Sequence, residues 1–95
     1  MNKYEMAIIL NASLEDEQLK EEIEKVHGII SRFEGTIDKI DDWGKRKLAY
    51  EINKQTEGFY SFITFTSAGD APAKMEDRLR IMENVLRFLI IRQEN

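Results

Sequence analysis

The alternation of apolar and polar side chains predicts a strand at the start of the chain and a helix after it. Residues 3–10 alternate with period two, which is typical of a strand that buries one face. The predicted buried side chains are Tyr4, Met6, Ile8 and Leu10. Residues 19–33 carry apolar side chains at spacings of three and four, which predicts an amphipathic helix. Its predicted inward stripe is Leu19, Ile23, Val26, Ile30 and Phe33.

Local signals predict where this helix begins and ends. Ser13 is the predicted N-cap, with Asp16 as its capping-box partner three residues later. Gly35 follows the apolar stripe and is predicted to stop the helix.

The middle of the chain predicts two strands. Residues 36–53 read as a long strand whose alternation breaks near Trp43-Gly44, and a glycine inside a strand marks a bulge or a bend. Glu57-Gly58 is the predicted hairpin turn. Residues 59–66 are aromatic and β-branched and apolar on both faces, which predicts a strand at the centre of the sheet.

The last part of the chain predicts a second helix and a final strand. Pro72 stands where the start of a helix tolerates proline. The predicted inward stripe is Met75, Leu79 and Met82, and Asn84 is the predicted end of this helix. Residues 86–92 have an apolar interior with a cation near each end, which predicts the last strand.

The order β-α-β-β-α-β predicts an α+β, ferredoxin-like fold for a single domain spanning residues 1–95. Right-handed crossovers place both helices on one face of a four-stranded antiparallel sheet. The other face then has no covering layer from its own chain, yet Ala7, Ile9, Leu89 and Ile91 are expected there. An apolar surface of that extent favours a docking partner over ordinary exposed apolar area.

Composition removes several classes of function. The chain has no cysteine, which excludes disulfides, zinc–thiolate sites, iron–sulfur clusters and a cysteine nucleophile. His27 is the only histidine, the five glycines form no phosphate-binding loop, and Asp41 and Asp42 are neighbours that point to opposite faces of a strand. We therefore expect no enzymatic activity, no metal, no cofactor and no small-molecule substrate. The short apolar run at 7–10 is no membrane span or signal peptide, so a cytoplasmic protein is expected.

Charge is distributed unevenly along the chain. The net charge is −4, and residues 14–34 account for it with seven acidic and three basic side chains. The remaining segments hold 11 acids and 11 bases (18 − 7 and 14 − 3). If the acidic helix lies behind the sheet, a basic patch on the other side is separated from it by about 10–12 Å, a helix diameter. Screening at physiological salt acts over about 8 Å, so the patch is not cancelled.

Six cations are candidates for binding an RNA backbone. Lys45, Arg46 and Lys47 run directly into the alternation Leu48, Tyr50 and Ile52, so a strand supports them rigidly. The alternative is an edge strand that uses lysine against aggregation. The full set of candidates is Lys3, Lys45, Arg46, Lys47, Arg87 and Arg92. Such residues contact mainly phosphates and 2′-hydroxyls and position a protein more than they read bases.

Several segments resemble one known family. These are Lys3-Tyr4-Glu5, the stretch Trp43-Gly44-Lys45-Arg46-Lys47-Leu48-Ala49-Tyr50-Glu51-Ile52, Gly58 with the aromatic run after it, and the segments 79–81 and 85–87. Over its whole length the chain resembles the bacterial small-ribosomal-subunit protein S-six family. The resemblance implies a βαββαβ fold without catalytic activity, in the small subunit. It also implies binding to the central domain of small-subunit ribosomal RNA, together with small-subunit protein S-eighteen.

This resemblance leads us to assign the six cations to RNA and an apolar set to the protein partner, namely Tyr50, Phe62 and Leu89. Two alternatives stay open at this point. One is a free-standing single-strand RNA binder that stacks bases on Tyr60–Phe65, although this run lacks the basic residue of the RNA-recognition motif. The other is a small-molecule-sensing dimer of ferredoxin-like domains.

Overall fold

The chain folds into a four-stranded sheet with two helices, in the predicted order. The computed structural model describes residues 1–52 and 54–93. Its elements are β1 (Asn2–Asn11), α1 (Asp16–Arg32), β2 (Thr36–Ile52), β3 (Gln55–Ser67), α2 (Ala71–Arg80) and β4 (Val85–Arg92). The α+β, ferredoxin-like prediction is confirmed.

The strands lie in the order β2-β3-β1-β4, and all three neighbouring pairs are antiparallel. Tyr4 of β1 pairs with Phe65 on one side and with Arg92 on the other. The predicted central strand 59–66 therefore does lie inside the sheet, and the last strand lies beside the first. β2 and β4 are the two edges.

One face of the sheet packs against the helices and forms the core. The alternation in β1 is realised as predicted, since all four expected side chains are buried and the residues between them are not. The core side chains are Tyr4, Met6, Ile8, Leu10, Leu19, Val26, Ile30, Ile63, Phe65, Ala71, Met75 and Leu79. Ile23, Phe33 and Met82 pack against this core and are partly buried. No helix in the described ranges has the length and apolar character needed to cross a membrane.

The predicted start of α1 is wrong by two residues. The N-cap is Glu15, whose backbone N–H donates to the Gln18 side chain at 3.4 Å in a capping box. Ser13 belongs instead to the turn after β1, where both its backbone N–H and its hydroxyl donate to the Asn11 side chain, at 3.0 and 2.7 Å. Because Asn11 binds Ser13 in this local turn, the helix begins only after it.

The helix ends also differ in detail from the prediction. α1 ends at Arg32, and Glu34 rather than a glycine takes the left-handed conformation, with φ 62°. The Gly35 N–H then donates to the Ile30 carbonyl at 2.8 Å, which closes the helix. α2 begins with Pro72 in its first turn, as predicted, but ends at Arg80 with Ile81 as the C-cap, so Asn84 does not end it.

The predicted hairpin turn at Glu57-Gly58 is wrong, because both residues lie within β3. Gly58 pairs with Asn11 on one side and with Arg46 on the other. β2 and β3 are joined after Ile52, and the predicted last residue of the long strand, Asn53, lies outside the described residues. A β-carbon at Gly58 would lie 2.4 Å from Ile9 Cγ2, so this glycine serves close packing rather than a turn.

The predicted break in β2 appears as three shifts of register against β3. They fall between Ile37 and Lys39, between Asp42 and Gly44, and between Lys47 and Ile52. At the second, Gly44 has φ +80°, a left-handed conformation that favours glycine. Bulges of this kind bend a strand and increase its twist, so β2 departs strongly from a flat edge.

Candidate nucleic-acid and protein interface

The sheet face opposite the helices, here called the open face, carries exposed apolar side chains. Along β1 it presents Ala7 and Ile9, and along β4 it presents Leu89 and Ile91, which are 57% and 49% exposed. A shallow cleft of about 370 Å³ lies over this face, lined by Ala7, Ile8, Ile9, Tyr60, Phe62, Arg87, Phe88 and Leu89. The apolar composition of the open face agrees with the sequence prediction.

The residues assigned to a protein partner share the open face. Ala7 pairs with Phe62 on one side and with Leu89 on the other, so these three residues form one row across β3, β1 and β4. Tyr50 reaches the same face from the end of β2 and is 56% exposed. The structure therefore brings Tyr50, Phe62 and Leu89 to one surface.

Tyr50 reaches this surface because the end of the β2–β3 hairpin folds across the sheet. The Tyr50 ring centroid lies 5.1 Å from the guanidinium carbon of Arg87, although β2 and β4 are opposite edges. Leu48 packs beside Gly58, since a β-carbon added at Gly58 would lie 3.1 Å from Leu48 Cδ2. The register shift between Lys47 and Ile52 gives β2 more residues than the facing part of β3. This additional length lets the end of β2 bend over the open face.

The six candidate cations are all exposed, but they form two groups. Arg46 and Arg87 lie at the hairpin end of the open face, where Arg87 pairs with Ile9 and Arg46 with Gly58. Lys45 and Lys47 alternate with Arg46 and so project from the opposite face of the β2–β3 ribbon.

Lys3 and Arg92 form the second group, at the other end of β1, where Lys3 points to the open face and Arg92, paired with the buried Tyr4, points to the helix side. The Arg92 Nη2 donates to the Asn2 side chain at 3.0 Å, and the Gln93 N–H donates to the Lys3 carbonyl at 2.9 Å. Lys3 is six positions from Ile9, the neighbour of Arg87, a separation of about 20 Å along a strand. The six cations are thus not one continuous patch.

None of these six cations has a carboxylate at ion-pair distance within residues 1–52 and 54–93. The ion pairs in those ranges are Lys25–Glu22, Lys74–Asp70 and Arg80–Asp77, and all of them lie on or next to the helices. The strand cations are therefore available for an external anion, whereas several helix cations are already partly neutralised.

Most acidic side chains of residues 14–34 lie on the helix side, whereas Glu5 and Asp41 lie on the open face near Trp43. Most of those in residues 14–34 belong to α1, which packs on the covered face. On β2, Asp42 accepts a hydrogen bond from the Ser61 hydroxyl at 2.6 Å, and Asp41 accepts one from the Trp43 indole at 3.1 Å. Asp41 and Asp42 do point to opposite faces. No cluster of three or more metal-ligating side chains occurs in the part of the chain that the structure describes.

Trp43 is a residue of the open face that sequence reasoning did not single out as a site. It is 51% exposed, its ring centroid lies 4.7 Å from that of Phe62, and the Arg46 guanidinium carbon lies 5.8 Å from the ring centroid. The available signal was its position directly before the bulge glycine, Gly44.

Comparison with known proteins agrees with this geometry. The family model described as Ribosomal protein S6 matches residues 3–92. Small ribosomal subunit protein bS6 of Alkaliphilus oremlandii is 45% identical over 94 residues, which cover 99% of each chain. The Clostridium botulinum protein of the same name is also 45% identical, over 99% of this chain and 100% of its own.

Solved structures show the same relationship. The crystal structure of 30S ribosomal protein S6 from Thermotoga maritima superposes with a TM-score of 0.91 at 32% identity, covering 97% of this chain and 87% of that one. The P2 domain of the Thermotoga maritima chemotaxis kinase CheA has a TM-score of 0.64 at 13% identity, which shows a shared fold only. The relatives are named as proteins of the small ribosomal subunit, in agreement with the prediction, and the chain belongs to the ribosomal protein S6 family.

Proposed function

We propose that this chain is a non-catalytic structural protein that binds the central domain of small-subunit ribosomal RNA together with small-subunit protein S-eighteen. Family membership supports its place in the small subunit. The observation that carries the finer proposal is that one sheet holds both an apolar row on its open face and strand cations that have no carboxylate partner within residues 1–52 and 54–93. The apolar row suits a protein, and the cations suit a polyanion.

The protein partner occupies the open face. Phe62, Ala7 and Leu89 supply a central apolar row, and Tyr50 adds an exposed aromatic side chain at its margin. Central residues that become fully desolvated carry most of the energy of an interface, and aromatic residues are enriched among them. We therefore assign the energetic centre of the contact to Phe62 and Leu89.

The RNA contacts come from the two cation groups. Arg46 and Arg87 can each present a guanidinium fork to a phosphate, and Lys45 and Lys47 add charge on the other side of the ribbon. Lys3 and Arg92 act about 20 Å away. Two groups at this separation contact different segments of the RNA backbone, so they fix the orientation of the protein rather than its affinity alone.

The net charge of −4 is compatible with this role because three of the six cations, Lys3, Arg46 and Arg87, lie on the open face, away from most of the acids in residues 14–34. The acids of α1 lie on the helix layer, which covers the opposite side of the sheet from the open face. Charges further apart than about 8 Å are largely screened at physiological salt.

The test is retention of a labelled central-domain RNA fragment by the chain and protein S-eighteen, over a series of salt concentrations. Arg46→Glu is expected to lower the affinity at least tenfold. It should also reduce the slope of log affinity against log salt concentration by about one for each phosphate contact that is lost. Its thermal unfolding should stay close to that of the unmodified chain, because Arg46 is exposed.

The matched control is Arg32→Glu, which makes the same change in net charge at the exposed end of α1. It is expected to change RNA affinity only slightly. Equal losses in both variants would show a general charge effect and contradict the assignment. Self-association of the chain without RNA retention would favour the sensing-dimer alternative instead.

A further inference from the structure

Trp43 is held in one orientation by three neighbours. Its indole N–H donates to Asp41 at 3.1 Å, and its ring is tilted by 54° against Phe62 at a centroid distance of 4.7 Å. The Arg46 Nε donates to the Trp43 carbonyl at 3.3 Å, which ties the arginine side chain to the same bulge. The ring therefore loses little further freedom when a ligand stacks on it.

Trp43 is exposed because it lies on the open face, which no other element of the chain covers. The chain has one tryptophan, and half of its surface is exposed, whereas Phe65 on the same sheet is fully buried. The bulge at Gly44 adds a residue to β2 just where Trp43 is placed on the open face. Bulges commonly re-aim a side chain next to a functional site.

The guanidinium beside this ring suits a nucleotide better than a protein side chain. Arg46 lies 5.8 Å from the ring centroid and has no carboxylate at ion-pair distance in the described ranges. Its Nε is engaged with the Trp43 carbonyl, which leaves its terminal nitrogens for a phosphate. An aromatic plane beside a cation matches the two parts of a nucleotide, the base and the phosphate.

We infer that Trp43 stacks an unpaired nucleobase of the bound RNA while Arg46 holds the adjoining phosphate. This inference rests on the proposed RNA-binding function. The phosphate lies next to Arg46 and away from Asp41, because the Asp41 carboxylate at the indole N–H would repel it. Since the indole N–H is already bonded to Asp41, the contact accepts any base by its flat face and adds no sequence preference.

The direct test uses the emission of Trp43, the only tryptophan of the chain. A single-stranded oligoadenylate RNA is titrated into the complex of the chain with protein S-eighteen, and inorganic polyphosphate of equal charge serves as a ligand without bases. The Trp43→Phe complex supplies the background from any tryptophan of the partner. RNA is expected to quench the Trp43 emission, and polyphosphate is expected to leave it nearly unchanged.

Binding is followed separately by the anisotropy of end-labelled RNA, so the two proposals fail in different ways. RNA that binds without quenching Trp43 overturns the stacking site and leaves the proposed function standing. Failure of the complex to bind oligoadenylate overturns the stacking site alone, whereas failure to bind the central-domain fragment overturns both proposals. Emission that changes on adding protein S-eighteen and no further with RNA places Trp43 in the protein interface and also overturns the stacking site.

Two substitutions show whether the RNA affinity depends on an aromatic plane at position 43 or only on an apolar side chain there. Trp43→Phe keeps an aromatic plane and is expected to stay within about threefold of the original RNA affinity, whereas Trp43→Leu is expected to lose about tenfold. Equal affinities for the two variants contradict a stacking role. If Trp43→Leu fails to fold, the emission titration of the unmodified chain still decides the question.

Discussion

Both faces of the sheet carry apolar side chains but differ in exposure, and neighbouring residues of β1 show the contrast. Met6 and Ile8 are 0% and 2% exposed beneath the helices, while Ala7 and Ile9 on the open face are only partly covered. The same alternation therefore places a folding core on one side and a candidate binding surface on the other. Substitutions on the covered face should therefore lower stability, and substitutions on the open face should weaken binding.

Phe65→Ala tests the covered face and should have the largest effect on stability. Phe65 is fully buried and stacks on Tyr4 at a centroid distance of 5.5 Å. The cavity left by a buried phenylalanine costs about 3–5 kcal/mol of unfolding free energy. Chemical denaturation measures this loss, and a loss below about 1 kcal/mol would contradict the assignment of Phe65 to the core.

Gly58→Ala tests the point where the hairpin packs over the sheet. An added β-carbon would lie 2.4 Å from Ile9 Cγ2 and 3.1 Å from Leu48 Cδ2, so one of these side chains must move. Overpacking of this kind costs about 1–3 kcal/mol. Ala49→Gly in the same hairpin is a control that adds no atoms. Unchanged thermal stability of Gly58→Ala would show that the hairpin does not pack down on Ile9 as described.

Leu89→Ala tests the open face and should have the smallest effect on stability. Leu89 is 57% exposed, so the change in unfolding free energy should stay within about 0.5 kcal/mol. Loss of a central interface contact should still weaken binding of protein S-eighteen by about tenfold. Ile81→Ala, at a 71% exposed position after α2, is the matched control and should leave binding unchanged. Calorimetric titration of both variants decides the point, and equal affinities count against the open face as the interface.

Much of the fold could be predicted because local patterns determine it. The period-two alternation of β1 and the apolar stripe of α1 both appear in the structure with the predicted residues inward. Glu57-Gly58 misled the prediction because it has the composition of a turn. Its glycine is required by contact with Ile9 and Leu48, a long-range packing demand that composition does not reveal.

The candidate site was less predictable because it depends on register. The six cations could be named from the sequence, but their division into two groups follows from the pairing of β1 with β4 and from the bulges of β2. The contact between Tyr50 and Arg87 joins opposite edges of the sheet, so no local spacing could indicate it. Trp43 was visible beside a bulge glycine, but only the structure gives its contacts with Asp41, Phe62 and Arg46.

Hydroxyl-radical footprinting of side chains, on the free chain and after its incorporation into small subunits, tests most directly whether the open face is the binding surface. Leu89 and Tyr50 on the open face are compared with Ile81 on the helix side, since all three are exposed in the isolated chain. We expect assembly to protect Leu89 and Tyr50 strongly and to leave Ile81 reactive. Protection of Ile81 with Leu89 and Tyr50 still reactive would contradict it.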